Sequence, residues 1–173
     1  MRKILVVIDM QKDFIDGALG TKEAAAIVDN VVDKIKIYPA ENIYATRDTH
    51  REDYLNTNEG RHLPVVHCVK GTDGWQMNER VAKALGNIKI IDKPTFGSVE
   101  LAEMLKSENE KEKLEIELVG LCTDICVVSN ALLLKANMPE INISVDSKCC
   151  AGVTPESHRA ALETMKMCHI EVI

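Results

Sequence analysis

Cys126 stands in the run Gly120-Leu121-Cys122-Thr123-Asp124-Ile125-Cys126-Val127, directly after an apolar segment. A cysteine attacks as a thiolate, so it works best beside a base and a cation. The chain offers both at matching places. The apolar run Ile4 to Ile8 ends at Asp9, and Ile88 to Ile91 ends at Asp92-Lys93. A carboxylate, an ammonium and a thiol, each at the tip of its own strand, make a candidate cysteine-nucleophile site. Taken singly, a cysteine is more often a small buried core residue, so the fold must bring the three together.

A second constellation is Asp48-Thr49-His50, followed by Glu59, His62 and His67. Carboxylate and imidazole are the usual ligands of zinc and related divalent ions. Asp48 and His50, two residues apart, reach one ion from a strand end. A lone histidine is more often an ordinary polar residue, and D-x-H is a weak signal by itself. No GxGxxG and no GxxxxGK[ST] occurs, so dinucleotide and P-loop chemistry have no support.

These residues need elements to position them. Continuous aliphatic runs lie at Ile4 to Ile8, Ile43 to Thr46, Ile88 to Ile91, Leu114 to Val119, Ile141 to Val145 and His169 to Ile173. Such runs fit strands buried on both faces of a parallel sheet. Helical spacing joins Ala24, Ile27, Val28, Val31, Val32 and Ile35. Trp75 to Leu85 and Ser98 to Leu105 read as shorter helices, and Asp124 to Ala136 as a buried one with Asp124 as its cap. Thr154-Pro155 opens a last helix, to about Met165. Lys106 to Lys113 reads as a charged, exposed turn. The alternation predicts right-handed βαβ units in an α/β fold: a three-layer α/β/α sandwich around a mainly parallel, Rossmann-like six-stranded sheet.

In such sheets ligands bind beyond the carboxyl ends of the strands. Asp9, Asp48, Lys93 and the turn from Leu121 to Cys126 all fall there. Each acid alone is as readily a helix cap, but four such tips together favour one shared site. A Cys126 in the first turn of a helix would feel the helix dipole, which favours a thiolate. The irregular stretch from Asp48 to Gly74 is too long for an idle connection.

The 173 residues suit a single domain, 1–173. A net charge of −6, without a Lys/Arg cluster, argues against a nucleic-acid partner. Met1-Arg2-Lys3 and Ile4 to Ile8 begin like a signal peptide, but the run is short and broken by Asp9 and Asp13. No segment is long enough to span a membrane. The six cysteines show no disulfide framework and no CxxC pair. The chain reads as cytoplasmic, with reduced thiols.

Four segments carry a family resemblance. They are Asp9-Met10-Gln11-Lys12-Asp13-Phe14, Thr46-Arg47-Asp48-Thr49-His50, His67-Cys68-Val69-Lys70-Gly71-Thr72, and the run from Gly120 to Val127. In that order they resemble the isochorismatase-like cysteine hydrolases, and nicotinamidases most among them. The resemblance implies a triad of Asp9, Lys93 and Cys126, a cis peptide at Leu121-Cys122, and an oxyanion hole from the amides of Cys122 and Cys126. It implies Phe14 and Leu121 as pocket walls, with Phe96 as a further candidate. It also implies a divalent metal, zinc by preference, on Asp48, His50 and His67. The commonest nicotinamidase pattern has a second histidine near the place of Asn56. Some members use a glutamate, which Glu59 matches, and His62 is the second choice. The implied reaction converts nicotinamide to nicotinate and ammonia through a Cys126 thioester, in a homo-oligomer.

Three rivals stand beside this reading. One is a relative acting on another small amide. A phospho-receiver signalling domain also has strand-end acids, a metal and a Lys-Pro such as Lys93-Pro94. It needs paired acids after the first strand, however, and has one strand fewer. The third is a catalytically dead binding module, against which the intact Asp, Lys and Cys set argues.

Overall fold

The computed structural model describes residues 1–173. Six strands form one sheet: β1 (Arg2–Ile8), β2 (Ile43–Asp48), β3 (Ile90–Lys93), β4 (Leu114–Leu121), β5 (Asn142–Ala151) and β6 (Glu171–Val172). Their order is β3-β2-β1-β4-β5-β6, and every neighbouring pair is parallel. The doubly wound sandwich is therefore present, with a sheet that is parallel throughout. Along β1, Ile4 to Ile8 are fully buried, and successive side chains enter opposite cores. Ile4, Val6 and Ile8 pack under α6 (Val99–Lys111), α7 (Val128–Asn137) and α8 (Pro155–Met167). Leu5 and Val7 pack under α1 (Lys12–Ile15), α2 (Lys22–Ala26), α3 (Val28–Lys36) and α5 (Glu79–Leu85).

Several boundaries differ from the sequence expectation, each for a local reason. Strand β3 starts at Ile90 and runs through Lys93, because its pairing with β2 continues to Asp48 and Lys93. The polar tips are thus inside the ladder rather than beyond it. Helix α5 begins only at Glu79, where the Asn78 side chain accepts from the amides of Arg80 and Val81. Trp75 to Met77 are drawn into a loop against Gln11. The charged stretch after Leu105 stays helical to Lys111, a solvated last turn of good helix formers. Helices α2 and α3 meet at Ile27 instead of forming one rod. Helix α8 opens as expected, with Thr154 and Ser157 capping each other reciprocally around Pro155.

The turn after β4 also departs from expectation. Thr123–Val127 is a single π turn that leads into α7, and Val128, Leu132 and Leu133 remain partly exposed. Asp124 does not cap this helix. Its carboxylate accepts from the Val153 amide, across the turn that precedes α8. Gly120 has φ of +121°, and a Cβ there would run into the carbonyl of Ile8. That close approach brings the end of β4 against the end of β1, which is the point where the strand order reverses and α/β proteins open a crevice.

Candidate active site

Asp9, Lys93 and Cys126 meet at that crevice. The Lys93 side chain is fully buried. Its Nζ lies 2.7 Å from Asp9 Oδ2 and 3.3 Å from Cys126 Sγ. It also donates to the Thr95 carbonyl at 3.1 Å and reaches Asp48 Oδ1 at 3.5 Å. Asp9 is fully buried at a φ of +46°, and its Oδ1 accepts from the Thr46 hydroxyl at 2.7 Å. Its Oδ2 pairs with Lys93 by charge without an aligned hydrogen bond, and the Cys126 sulfur accepts from Lys93 Nζ. Asn130 anchors the cysteine backbone by donating to the carbonyls of Cys126 (2.7 Å) and Phe96 (3.0 Å).

Burial governs the charges here. It raises the Asp9 carboxyl, and the neighbouring Lys93 ammonium only partly offsets that rise. It also pushes the Cys126 thiol well above the ordinary thiol range, helped by the Asp9 charge and opposed by Lys93. Burial would lower Lys93, yet Asp9, Cys126 and Asp48 together hold its ammonium above the usual lysine value. Burial thus favours the protonated form of the Cys126 thiol, and the surrounding acids favour the ammonium of Lys93.

The long loop folds back so that Asp48, His50, Glu59 and His67 place one ligand atom each within 4.8 Å of one another. His50 Nε2 is 3.0 Å from Asp48 Oδ2, and His67 Nε2 is 3.7 Å from both Asp48 Oδ2 and Glu59 Oε1. The donor set fits a divalent ion on three counts. It is two imidazoles and two carboxylates. His50 Nε2 is buried without a hydrogen-bond partner. His67 Nδ1 is bonded to the Val65 carbonyl at 2.7 Å, which leaves Nε2 as the ligating nitrogen. His62 stands apart, exposed, with Nδ1 at the Asn58 carbonyl.

Supporting residues that the sequence reading passed over hold this loop. Tyr54 is fully buried against His50 (4.6 Å between centroids) and His67 (4.9 Å), and its hydroxyl donates to the Leu63 carbonyl. A short helix α4 (Asn58–His62) carries Glu59 and needs Gly60, since a Cβ there would strike the Tyr54 carbonyl. The buried Gln11 side chain clasps the Asp48 backbone at both its amide (2.7 Å) and its carbonyl (2.9 Å). Asp13 accepts from the Cys68 amide beside His67. The fully buried Thr123 hydroxyl shares a 2.8 Å hydrogen bond with His158 Nδ1 of α8. The one sequence-level signal for these is that polar types such as Gln11 and Tyr54 lie inside the quoted motifs or between the ligands.

A cavity of about 330 Å³ joins the two groups. Its walls include Phe14, Asp48, Glu59, His67, Cys122 and Cys126, with Phe96 at its edge. Phe14 packs its ring 5.6 Å from that of His67. Leu121 is not a wall: its side chain points from β4 into the core beneath α1 to α3 and is fully buried. Ile125, Leu19, Leu63 and Val153 supply the apolar lining instead. The Leu121-Cys122 peptide is cis, as the resemblance implies.

Comparison with known proteins finds relatives that match the whole chain. The uncharacterized isochorismatase family protein PncA of Bacillus subtilis strain 168 is 25% identical over 173 residues, covering 94% of this chain and 93% of its own. The pyrazinamidase of Pyrococcus horikoshii, solved in complex with zinc, has a TM-score of 0.81 at 27% identity, over 100% of this chain and 99% of that one. The pyrazinamidase/nicotinamidase of Streptococcus mutans gives 0.82 at 26% identity, over 99% of each chain. The isochorismatase domain model matches residues 3–173. Since that model runs from the first strand to the last, this chain belongs to the isochorismatase family and is a hydrolase of that family.

Proposed function

We propose that the protein is a cysteine amidohydrolase that converts nicotinamide to nicotinate and ammonia. The observation that carries this reading is the contact of Lys93 with Asp9, Cys126 and Asp48 at once, which joins a nucleophile group to a metal-ligand group in one cavity. Solved relatives at 26–27% identity named for pyrazinamidase and nicotinamidase activity support it, one of them in complex with zinc.

Asp9 takes the proton of Cys126 as sulfur attacks the carboxamide carbon. Lys93 keeps its proton and balances the negative charge shared by Asp9 and sulfur. The amides of Cys122 and Cys126 donate to the developing oxyanion. Asp9 returns the proton to the departing nitrogen, which leaves as ammonia, and a thioester remains. Water then enters, gives its proton to Asp9 and attacks the thioester carbon. The acid departs and Cys126 recovers its proton. An ion held by Asp48, His50, Glu59 and His67 would supply a Lewis-acid position for the lone pair of a ring nitrogen, and so orient the substrate.

No lysine or arginine lines the cavity. Away from that ion a carboxylate-bearing amide would find no cation, which favours a neutral substrate. The test is a panel of small carboxamides assayed for ammonia, with metal content measured on the same sample. Nicotinamide and pyrazinamide should be turned over and the Cys126→Ala protein should not release ammonia. Faster turnover of an unrelated aliphatic amide would replace nicotinamide as the substrate.

A further inference from the structure

The polar side chains that line the cavity, Thr21 apart, come from strand β2 and the long loop that follows it. Asp48, Glu59 and His67 face it from the long loop and strand β2, with the nucleophile turn beside them. The remaining walls are apolar apart from Thr21 and His62, and three of them reach solvent: Leu63, Phe96 and Val153 are 36%, 44% and 51% exposed. They come from three separate segments, the loop after α4, the β3–α6 connection and the β5–α8 connection. Large apolar side chains converging on one mouth mark a surface that a ligand covers. A volume of about 330 Å³ is also in the range of pockets that enclose ligands larger than one ring.

Given a nicotinamide-like substrate, the reading on which this inference rests, the ring has two fixed points. Its carboxamide faces Cys126 and its nitrogen faces the Asp48 wall. The ring position meta to both points away from both of these groups. We infer that the site accepts an aromatic carboxamide bearing an uncharged apolar substituent at that position, seated on Leu19, Leu63, Phe96 and Val153. A carboxylate there is disfavoured. Lys93 is buried and committed to Asp9, Cys126, Asp48 and Thr95, and an ion held by the Asp48 group would lie at the ring nitrogen rather than at that position. The mouth also carries His62, whose Nδ1 is engaged by the Asn58 carbonyl.

The test uses nicotinamide, 5-phenylnicotinamide and 5-carboxynicotinamide, with turnover by the metal-loaded protein and dissociation constants by calorimetry on Cys126→Ala. The phenyl compound should bind at least about fivefold more tightly than nicotinamide and show a matching fall in KM, as its ring leaves water. The carboxylate compound should bind more weakly than either. Leu63→Ser and Val153→Ser should each shrink the phenyl-to-nicotinamide affinity ratio toward one. If nicotinamide is hydrolysed but the phenyl compound binds no better, the inference is overturned while the proposed function stands. A mouth closed by a second copy of the chain would give that same overturning result. If nicotinamide is neither bound nor hydrolysed, both fall together.

Discussion

Cys126 sits at the junction of two opposing influences. Burial and the Asp9 carboxylate hold its thiol protonated, and Lys93 alone favours the thiolate. The helix dipole that favours a thiolate at Cys126 is therefore opposed by the burial of the thiol. Alkylation of Cys126 by iodoacetamide should accordingly rise with pH through the alkaline range, without a plateau near neutrality. Lys93→Met removes the one group that lowers this thiol, so alkylation should slow further at every pH. A rate already level near neutral pH, or indifferent to Lys93, would show that the thiolate is preformed. A second prediction separates the two neighbouring thiols. Cys122 is also held protonated, up to about 12, by burial and by Asp124. Only its backbone serves the proposed chemistry. Cys126→Ala should lower turnover by about a thousandfold or more. Cys122→Ala should stay within about tenfold of the parent, since it removes only a cavity-wall thiol. The reverse ranking would identify Cys122 as the nucleophile.

The elements were legible in the sequence wherever an apolar run or a stripe carried the signal. All six strands lie where continuous aliphatic runs predict them, because a parallel sheet buries both faces. Their ends were less legible. Asp48 and Lys93 pair in the ladder, yet nothing in their types says strand, since their burial comes from each other and from Asp9. The π turn at Thr123–Val127 was invisible for a similar reason, as its support comes from a distant helix. That support yields a third prediction. The Thr123 hydroxyl is tied to His158 of α8, and the Asp124 carboxylate to the amide of Val153 just before α8. Gly152 lies flat against His158, where a Cβ would collide with its backbone. Helix α8 thus holds the turn that carries Cys122 and Cys126. Burial lowers the His158 imidazole against the pull of Asp124, which favours the neutral ring. His158→Phe keeps the ring but removes its nitrogen. It should lower kcat by about tenfold through a misplaced turn, with little change in nicotinamide affinity measured on a Cys126→Ala background. An unchanged kcat would reduce the hydrogen bond to a packing detail.

At the scale of the whole molecule, the parallel sheet puts every strand tip at one edge, and that is why residues as far apart as Asp9, Asp48, Lys93 and Cys126 share a cavity. Asp48 links the two halves of the site: Oδ1 faces Lys93 at 3.5 Å and Oδ2 faces His50 at 3.0 Å. A substitution at Asp48 therefore disturbs ligand group and nucleophile group together, whereas His50 is separated from Lys93 by that carboxylate. This arrangement makes the metal testable apart from the triad. Stripping the ion with a chelator should lower the thermal midpoint, because an ion bound only by the folded protein stabilises it. Restoring zinc should return it. In turnover, the loaded protein should prefer nicotinamide to benzamide, which has nearly the same shape but no ring lone pair. Chelation or His50→Ala should raise the KM for nicotinamide by about tenfold or more and largely erase that preference, while the smaller benzamide rate changes less. Asp48→Asn should depress both amides, since it also weakens the hold on Lys93. Equal rates on the two amides in the metal-loaded protein would remove nicotinamide as the substrate, and would leave the cysteine hydrolysis itself untouched.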